Sequence, residues 1–163
     1  MSNEHDRHYP AIPLRNVTVF PGMVMHFDVS RKKSVRAVEA AMSADELIYL
    51  VTQMDSQVSE PGMEDLYKVG TIAKIKQINR MPGKILRVQV EGLRKAAVNS
   101  FEEASGMMIA DVSVMPGFEK PDKMVSRAII VGMRELLTQY AHVNPKFAKD
   151  TVKRWLSYND AEK

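Results

Sequence analysis

Residues 13–25 read PLRNVTVFPGMVM, two apolar runs with a hard stop between them, and the fold turns on how this stretch is read. Val17, Val19 and Phe20 are β-branched or aromatic and suit a pleated, buried surface, while Pro13 lacks a ladder donor and belongs at a strand edge. Pro21 fixes φ and Gly22 can take a positive φ, so the pair turns the chain. A second strand then begins, with Met23, Met25, Phe27 and Val29 on one face. The residues alone predict an N-terminal strand pair of a β-rich domain.

Upstream, residues 1–8 are polar and aperiodic, the pattern of a frayed terminus. His5, Asp6 and His8 lie close in sequence there, but a tail without further ligands does not hold a coordination geometry, and no metal site is expected. Downstream, Ser30 is the expected N-cap of a helix that places Val35, Val38 and Met42 on one face, with Ala37 and Ala41 beside them. Arg31, Lys32, Lys33 and Arg36 crowd its first turn, where positive charge opposes the helix dipole. Residues 47–51 form a continuous apolar run, the sign of a strand covered on both faces. Residues 55–62 read as a loop. Residues 69–78 and 85–91 form a hairpin about Pro82-Gly83, whose second arm buries Leu86, Val88 and Val90 and exposes Arg87, Gln89 and Glu91. After Gly92, which permits a bulge or bend, residues 93–101 and 107–115 read as two more strands around a polar turn at 102–106. Five or more strands, one early helix and repeated Pro-Gly turns predict an α+β chain built on a small, partly closed β-barrel.

The character changes at residues 115–122, a Pro- and Gly-containing linker that separates a β-rich part, 1–117, from a helical part, 118–163. Val125, Ile129, Gly132, Leu136 and Tyr140 form an apolar helical stripe ending before Asn144-Pro145, and Pro145 opens a second helix with Ala148, Val152, Trp155 and Leu156 on its buried face. A helical hairpin is the expectation. Asn159 and Glu162 have the spacing of a capping box, yet the sequence ends at Lys163, which reads as a helix cut short in a fragment of something longer. Two helices without the rest of their bundle would leave apolar surface at Leu136 and Trp155 for assembly.

Composition narrows the function. The 163 residues carry 23 basic and 20 acidic side chains, so the net charge of +3 gives little reason to favour nucleic acid. The absence of cysteine excludes a disulfide scaffold and a thiol nucleophile. No apolar run is long enough to span a bilayer and residues 1–9 lack a signal-peptide core, from which a cytoplasmic chain is expected. No two glycines are spaced for a P-loop, and no Gly-x-Ser-x-Gly occurs. Glu102 and Glu103 beside a turn read as solvated carboxylates. A binding module is expected rather than an enzyme.

Residues 12–42, IPLRNVTVFPGMVMHFDVSRKKSVRAVEAAM, resemble the opening of the N-terminal domain of bacterial Lon proteases, ATP-dependent enzymes of the AAA+ class. Val69-Gly70-Thr71-Ile72-Ala73 and residues 88–94, VQVEGLR, resemble later segments of the same domain in the same order. The resemblance implies a PUA-like pseudobarrel followed by the start of a helical bundle. It also implies a non-catalytic part of a Ser-Lys protease hexamer, whose ATP and Mg sites lie in an ATPase domain absent from this sequence. Such a domain holds unfolded or degron-bearing protein substrates. Weak capture of many apolar segments favours flexible, polarizable side chains. Among 12 methionines, Met23 beside the Pro21-Gly22 turn and Met54, Met63 and Met81 in or beside loops are the expected contacts. An exposed β edge that pairs with an extended substrate is a second mode. A nucleic-acid-binding module, prompted by the PUA-like implication, the basic Arg31 to Arg36 cluster and Lys74, Lys76, Arg80, Lys84 and Arg87 of the hairpin, and an assembly element that orders the hexamer are the alternatives.

Overall fold

The computed structural model describes residues 6–117 and 122–144 together with 153, 156 and 157. The chain divides into two compact units, Met1–Gly117 and Phe118–Lys163.

The first unit contains β1 (Asp6–Leu14), β2 (Val24–Val29), α1 (Lys32–Met42), β3 (Leu47–Thr52), β4 (Val69–Met81), β5 (Ile85–Ala104) and β6 (Met107–Val114). The sheet order is β2-β5-β4-β3-β1-β6, and β5 also pairs with β6. That extra pairing closes a ring of five strands and leaves β2 outside it, hydrogen-bonded to β5 alone. The 20-residue β5 makes both arrangements possible: residues 86–91 pair with β2, and residues 96–104 pair with β6. The result is a β pseudobarrel in which only β1 and β3 run parallel.

Closure explains why β3 is apolar throughout. Ile48 and Leu50 join one core cluster with Val88 and Val90, while Tyr49 and Val51 join a second with Ile72, Ala96 and Val112. The α1 helix packs Ala37, Val38 and Ala41 into the first cluster. Tyr49 is fully buried, and its hydroxyl donates to the Ala96 carbonyl at 3.1 Å. Burial pushes its pKa up to about 12, only partly offset by a backbone hydrogen bond at Gly70.

Several local expectations are corrected. Residues 17–20 are not a strand: Asn16 takes φ 55°, ending β1. Threonine hydroxyls then accept the role of ladder partners, Thr52 donating to the Val17 carbonyl and Thr71 to that of Val19. Residues 6–8, expected to belong to a frayed terminus, lie in β1, because residues 6–11 pair with β6, a non-local contact that local polarity does not reveal. The N-cap of α1 is Arg31, not Ser30, and makes no capping side-chain bond. Its buried face is Ser34, Ala37, Val38 and Ala41, leaving Met42 exposed. The bulge that Gly92 permits is present as a register shift, β5 runs on through it rather than dividing into two strands, and the following turn tightens to Ser105-Gly106, both at positive φ.

The second unit contains α2 (Lys123–Val143). Asp122 caps it, accepting from the amides of Met124 and Val125 at 2.6 and 3.1 Å. No residue of α2 is buried. Of the helix expected from Pro145, Lys153 and Leu156 are described and are helical, and the remainder, Trp155 included, lies outside the described residues.

Candidate functional site

The open end of the sheet is organised by one glycine. The residue 15–23 loop crosses β5 at Gly92, where Gly22 donates to the Gly92 carbonyl and Gly92 donates to the Met23 carbonyl, both at 2.8 Å. A Cβ at Gly92 would stand 2.2 Å from the Phe20 carbonyl oxygen. Only glycine allows the loop this close. The contact holds a turn in which the Met23 amide donates to the Phe20 carbonyl at 3.1 Å and the Phe20 amide donates to the Met23 Sδ at 3.4 Å.

That turn displays apolar side chains to water. Phe20 and Val24 are 59% and 58% exposed, and Met23 and Leu93 are also exposed. Val24 pairs with Glu91, two residues before Leu93. Leu93 is the extra residue of the bulge: Ile72 pairs with Arg94 and the next residue, Ala73, with Gly92. Four large apolar residues thus gather around one fixed turn, beside the free edge of β2. An exposed apolar grouping of this kind is a candidate interaction surface.

All four methionines singled out from the sequence are exposed. They are not brought together. Met23 belongs to the turn described above. Met81 sits at the far end of the β4–β5 hairpin, opposite Ile85, six residues along β5 from the Glu91 level and so roughly 20 Å away. Met54 and Met63 belong to the connection after β3, where the Met54 amide donates to the Asp65 carbonyl and Met63 opens a single 3-10 turn. Sequence reasoning singled out Met23 but not Phe20, Val24 and Leu93, because Phe20 reads as suited to a buried surface and the other two as ordinary strand positions. The available signal was Gly92 in the middle of an apolar strand, which marks a close backbone approach.

The basic side chains of the hairpin are largely engaged. Lys76 meets Glu91 at 2.6 Å, Lys74 meets Glu46 at 3.3 Å and Arg80 meets Glu39 at 3.7 Å. Arg87 forms a two-pronged pair with the directly opposite Asp28, at 2.8 and 2.9 Å. That hydrogen bond holds the Asp28 carboxyl below its usual pKa and the Arg87 guanidinium above its own. A groove of about 800 Å³ lies at the start of α1, lined by Arg15, Arg31, Lys33, Met63, Phe101 and Glu103 among others. Lys33 is paired there with Glu103 at 2.8 Å, which raises the lysine's pKa. Among the described residues no three His, Asp or Glu side chains converge to hold a metal, and no helix is long and apolar enough to cross a membrane.

The closed ring with its outlying strand defines the class, a β-rich pseudobarrel module with a helical extension, and solved structures share it. The N-terminal domain of Mycobacterium avium complex Lon protease superposes with a TM-score of 0.71 at 20% identity, over 94% of this chain and 77% of that one. A Lon N-terminal domain protein from Xanthomonas campestris does so with a TM-score of 0.57 at 14% identity, over 95% and 92%. The sequence is more specific. Residues 8–163 match the model of the ATP-dependent protease La (LON) substrate-binding domain, and the chain belongs to that family. It is 41% identical over 145 residues to a Lon protease of Heliobacterium modesticaldum, covering 87% of this chain and 17% of that protein. With Lon protease 1 of Bacillus subtilis it shares 36% over 151 residues, 93% of this chain and 19% of the relative. The chain therefore spans about a fifth of the length of these relatives.

Proposed function

We propose that this chain is the module through which a cytoplasmic, hexameric Lon-type protease captures unfolded or degron-bearing proteins, delivering them to ATPase and protease domains elsewhere in the longer protein. One observation carries the reading: the exposed group Phe20, Met23, Val24 and Leu93, held on a turn that Gly92 locks. Apolar segments are hidden in folded proteins and displayed in unfolded ones, so a small, shallow apolar surface discriminates between them without reading a sequence. Met54, Met63 and Met81 are outlying contacts for a long chain. A nucleic-acid reading gains little, since Lys74, Lys76, Arg80 and Arg87 already meet carboxylates.

The test is a fluorescence-anisotropy titration with a labelled, permanently unfolded protein, its folded counterpart and a single-stranded RNA at low and high salt. Salt-resistant preference for the unfolded chain, weakened about tenfold or more in the Phe20→Ser, Val24→Ser, Leu93→Ser variant, supports the proposal. RNA binding that collapses with salt, or an unchanged affinity in the variant, removes it.

A second reading rests on α2. Val125, Ile129, Met133, Leu136 and Tyr140 recur at helical spacing and are all exposed. Leu136, with Trp155, then serves assembly, either within the longer protein or between copies of this chain. Sedimentation velocity decides it: concentration-dependent association must disappear in Leu136→Asp while the β unit stays folded.

A further inference from the structure

One edge of the sheet is open and lacks the devices that normally blunt such an edge. The Gly92 amide donates to the Met23 carbonyl, so the backbone of Met23 faces β5. The register runs on from there without a shift, from Val24 opposite Glu91 to Val29 opposite Leu86. Alternation therefore turns the backbones of Met25, Phe27 and Val29 toward β5 and those of Val24, His26 and Asp28 away from it. Among the described residues no strand lies on that outer side. Exposed edges are commonly protected by a lysine, a proline, a bulge or an unpaired charge. The β2 sequence, VMHFDV, has no lysine or proline and its ladder has no bulge. Its one carboxylate, Asp28, is matched by the two-pronged bond from Arg87.

Across the gap stands the end of β1, where β6 no longer pairs beyond Ala11. This edge is blunted. The Gln53 amide donates to the Leu14 carbonyl at 2.8 Å, which turns the backbone of Leu14 toward β3 and that of Pro13 toward the gap. Pro13 has no N–H to offer. Of the two strands that border the gap, β2 is the one that presents both donors and acceptors.

Between them lies a groove of about 460 Å³, lined by Arg15, Val17, Met25, Phe27 and Arg31 among others. Val17, Met25 and Phe27 are half-buried, resting on the core with part of their surface open. Arg15 donates to the Val58 carbonyl and Arg31 to the Gln53 Oε1, both neutral acceptors. Among the described residues neither guanidinium has a carboxylate within ion-pair distance. Arg31 follows β2 by two residues, so its charge stands at the Val29 end of the open edge.

That charge pattern decides the occupant. A second copy of β2 would bring no carboxylate to the two arginines, since Asp28 is already held by Arg87. An extended segment of another protein, with an Asp or Glu beside alternating apolar residues, supplies a strand for the edge, side chains for the groove and a charge for the arginines.

We propose that β2 takes an extended peptide as an added antiparallel strand, its apolar side chains over Val17, Met25 and Phe27 and an acidic side chain, N-terminal to them, against Arg15 and Arg31. This rests on the substrate-capture reading and deepens it, since it names extended acidic-apolar segments as the preferred substrate class.

The test uses the intact ¹⁵N-labelled chain and the peptide DVTVTVS, blocked at both ends so that neither terminus is charged. Binding should slow hydrogen exchange at the Val24, His26 and Asp28 amides and leave those of Met25 and Phe27, already bonded to β5, unchanged. Two isomers of the peptide, N-methylated at alternate residues in opposite phase, separate backbone pairing from apolar contact. The isomer that loses the donors facing β2 should bind about tenfold weaker or worse, and the other should stay within about threefold of the unmodified peptide. Replacing the peptide's Asp by Asn should weaken binding about fivefold in the parent and not at all in Arg31→Gln. Should that variant unfold, Arg15→Gln carries the same comparison. Equal affinity of the two isomers, or no binding of the peptide, overturns the added strand. Equal affinity of the Asp and Asn peptides overturns the acidic preference. Protection of Val24, His26 and Asp28 that rises with protein concentration in the absence of peptide gives the edge to a second copy and also overturns the proposal. The capture reading fails separately, if the Phe20→Ser, Val24→Ser, Leu93→Ser variant binds a permanently unfolded protein as well as the parent does.

Discussion

Two strands of equal length, β2 and β3, show how this molecule divides its labour. In β3, LIYLVT, four of six residues are buried, and neighbours lie on both sides, β1 parallel and β4 antiparallel. In β2, VMHFDV, only Val29 is buried, and there is one neighbour. Both are apolar enough to be strands. What separates them is position in the ring: the closed side removes its apolar surface from water and supplies stability, whereas the strand outside the ring keeps an edge and an apolar corner open. The same hydrophobic residues that hold one wall together are available for binding on the other.

The contrast predicts a graded series of effects. Ile48→Ala on the closed side should cost about 2–5 kcal/mol in urea unfolding, because both faces of β3 are packed and the void cannot collapse. A cost under about 1 kcal/mol would mean that the ring is looser than its burial indicates. Next comes pH. Tyr49 is raised to about 12 in the folded protein and returns to an ordinary value of 10.0 on unfolding. Between these values the unfolded chain gives up the proton first, so this contribution is complete below pH 10, declines as pH rises and is lost through about 12. Its size is roughly 1–2 kcal/mol after allowance for solvent screening, read as the difference in pH dependence between the parent and Tyr49→Phe. Gly92→Ala sits on the border of the two regions: the new methyl meets the Phe20 carbonyl. It should cost about 1–2 kcal/mol by overpacking and weaken capture by shifting the turn. Smallest in stability are Phe20→Ser and Val24→Ser, which should change unfolding by less than about 0.5 kcal/mol while reducing affinity for an unfolded chain.

Several strands of the ring were legible from the residues. The unbroken apolar run in β3, the alternation of Leu86, Val88 and Val90 and the Pro82-Gly83 turn carry their structures locally, and each strand lies where its pattern places it. Closure was not legible in the same way. The pairing of residues 6–11 with β6 joins segments about a hundred residues apart, and nothing in a polar stretch such as DRH announces it. Residues 17–20 look like a strand because Val17, Val19 and Phe20 are strand formers. Their partners are the hydroxyls of Thr52 and Thr71, from two different strands, and those are invisible to periodicity. The candidate corner was half legible for the same reason: Met23 stands out as a methionine beside a turn, while Phe20 reads as a residue suited to a buried surface and Val24 only as a position in the next strand.

The central claim is that capture occurs at the open corner of the sheet, not wherever methionines are exposed. Amide chemical-shift mapping of the ¹⁵N-labelled chain with a permanently unfolded protein tests it most directly. The account predicts perturbations concentrated at residues 20–25 and 91–94 and extending along β2. Perturbations confined to residues 54–63 and 81–84, with the Gly92 turn silent, would contradict it.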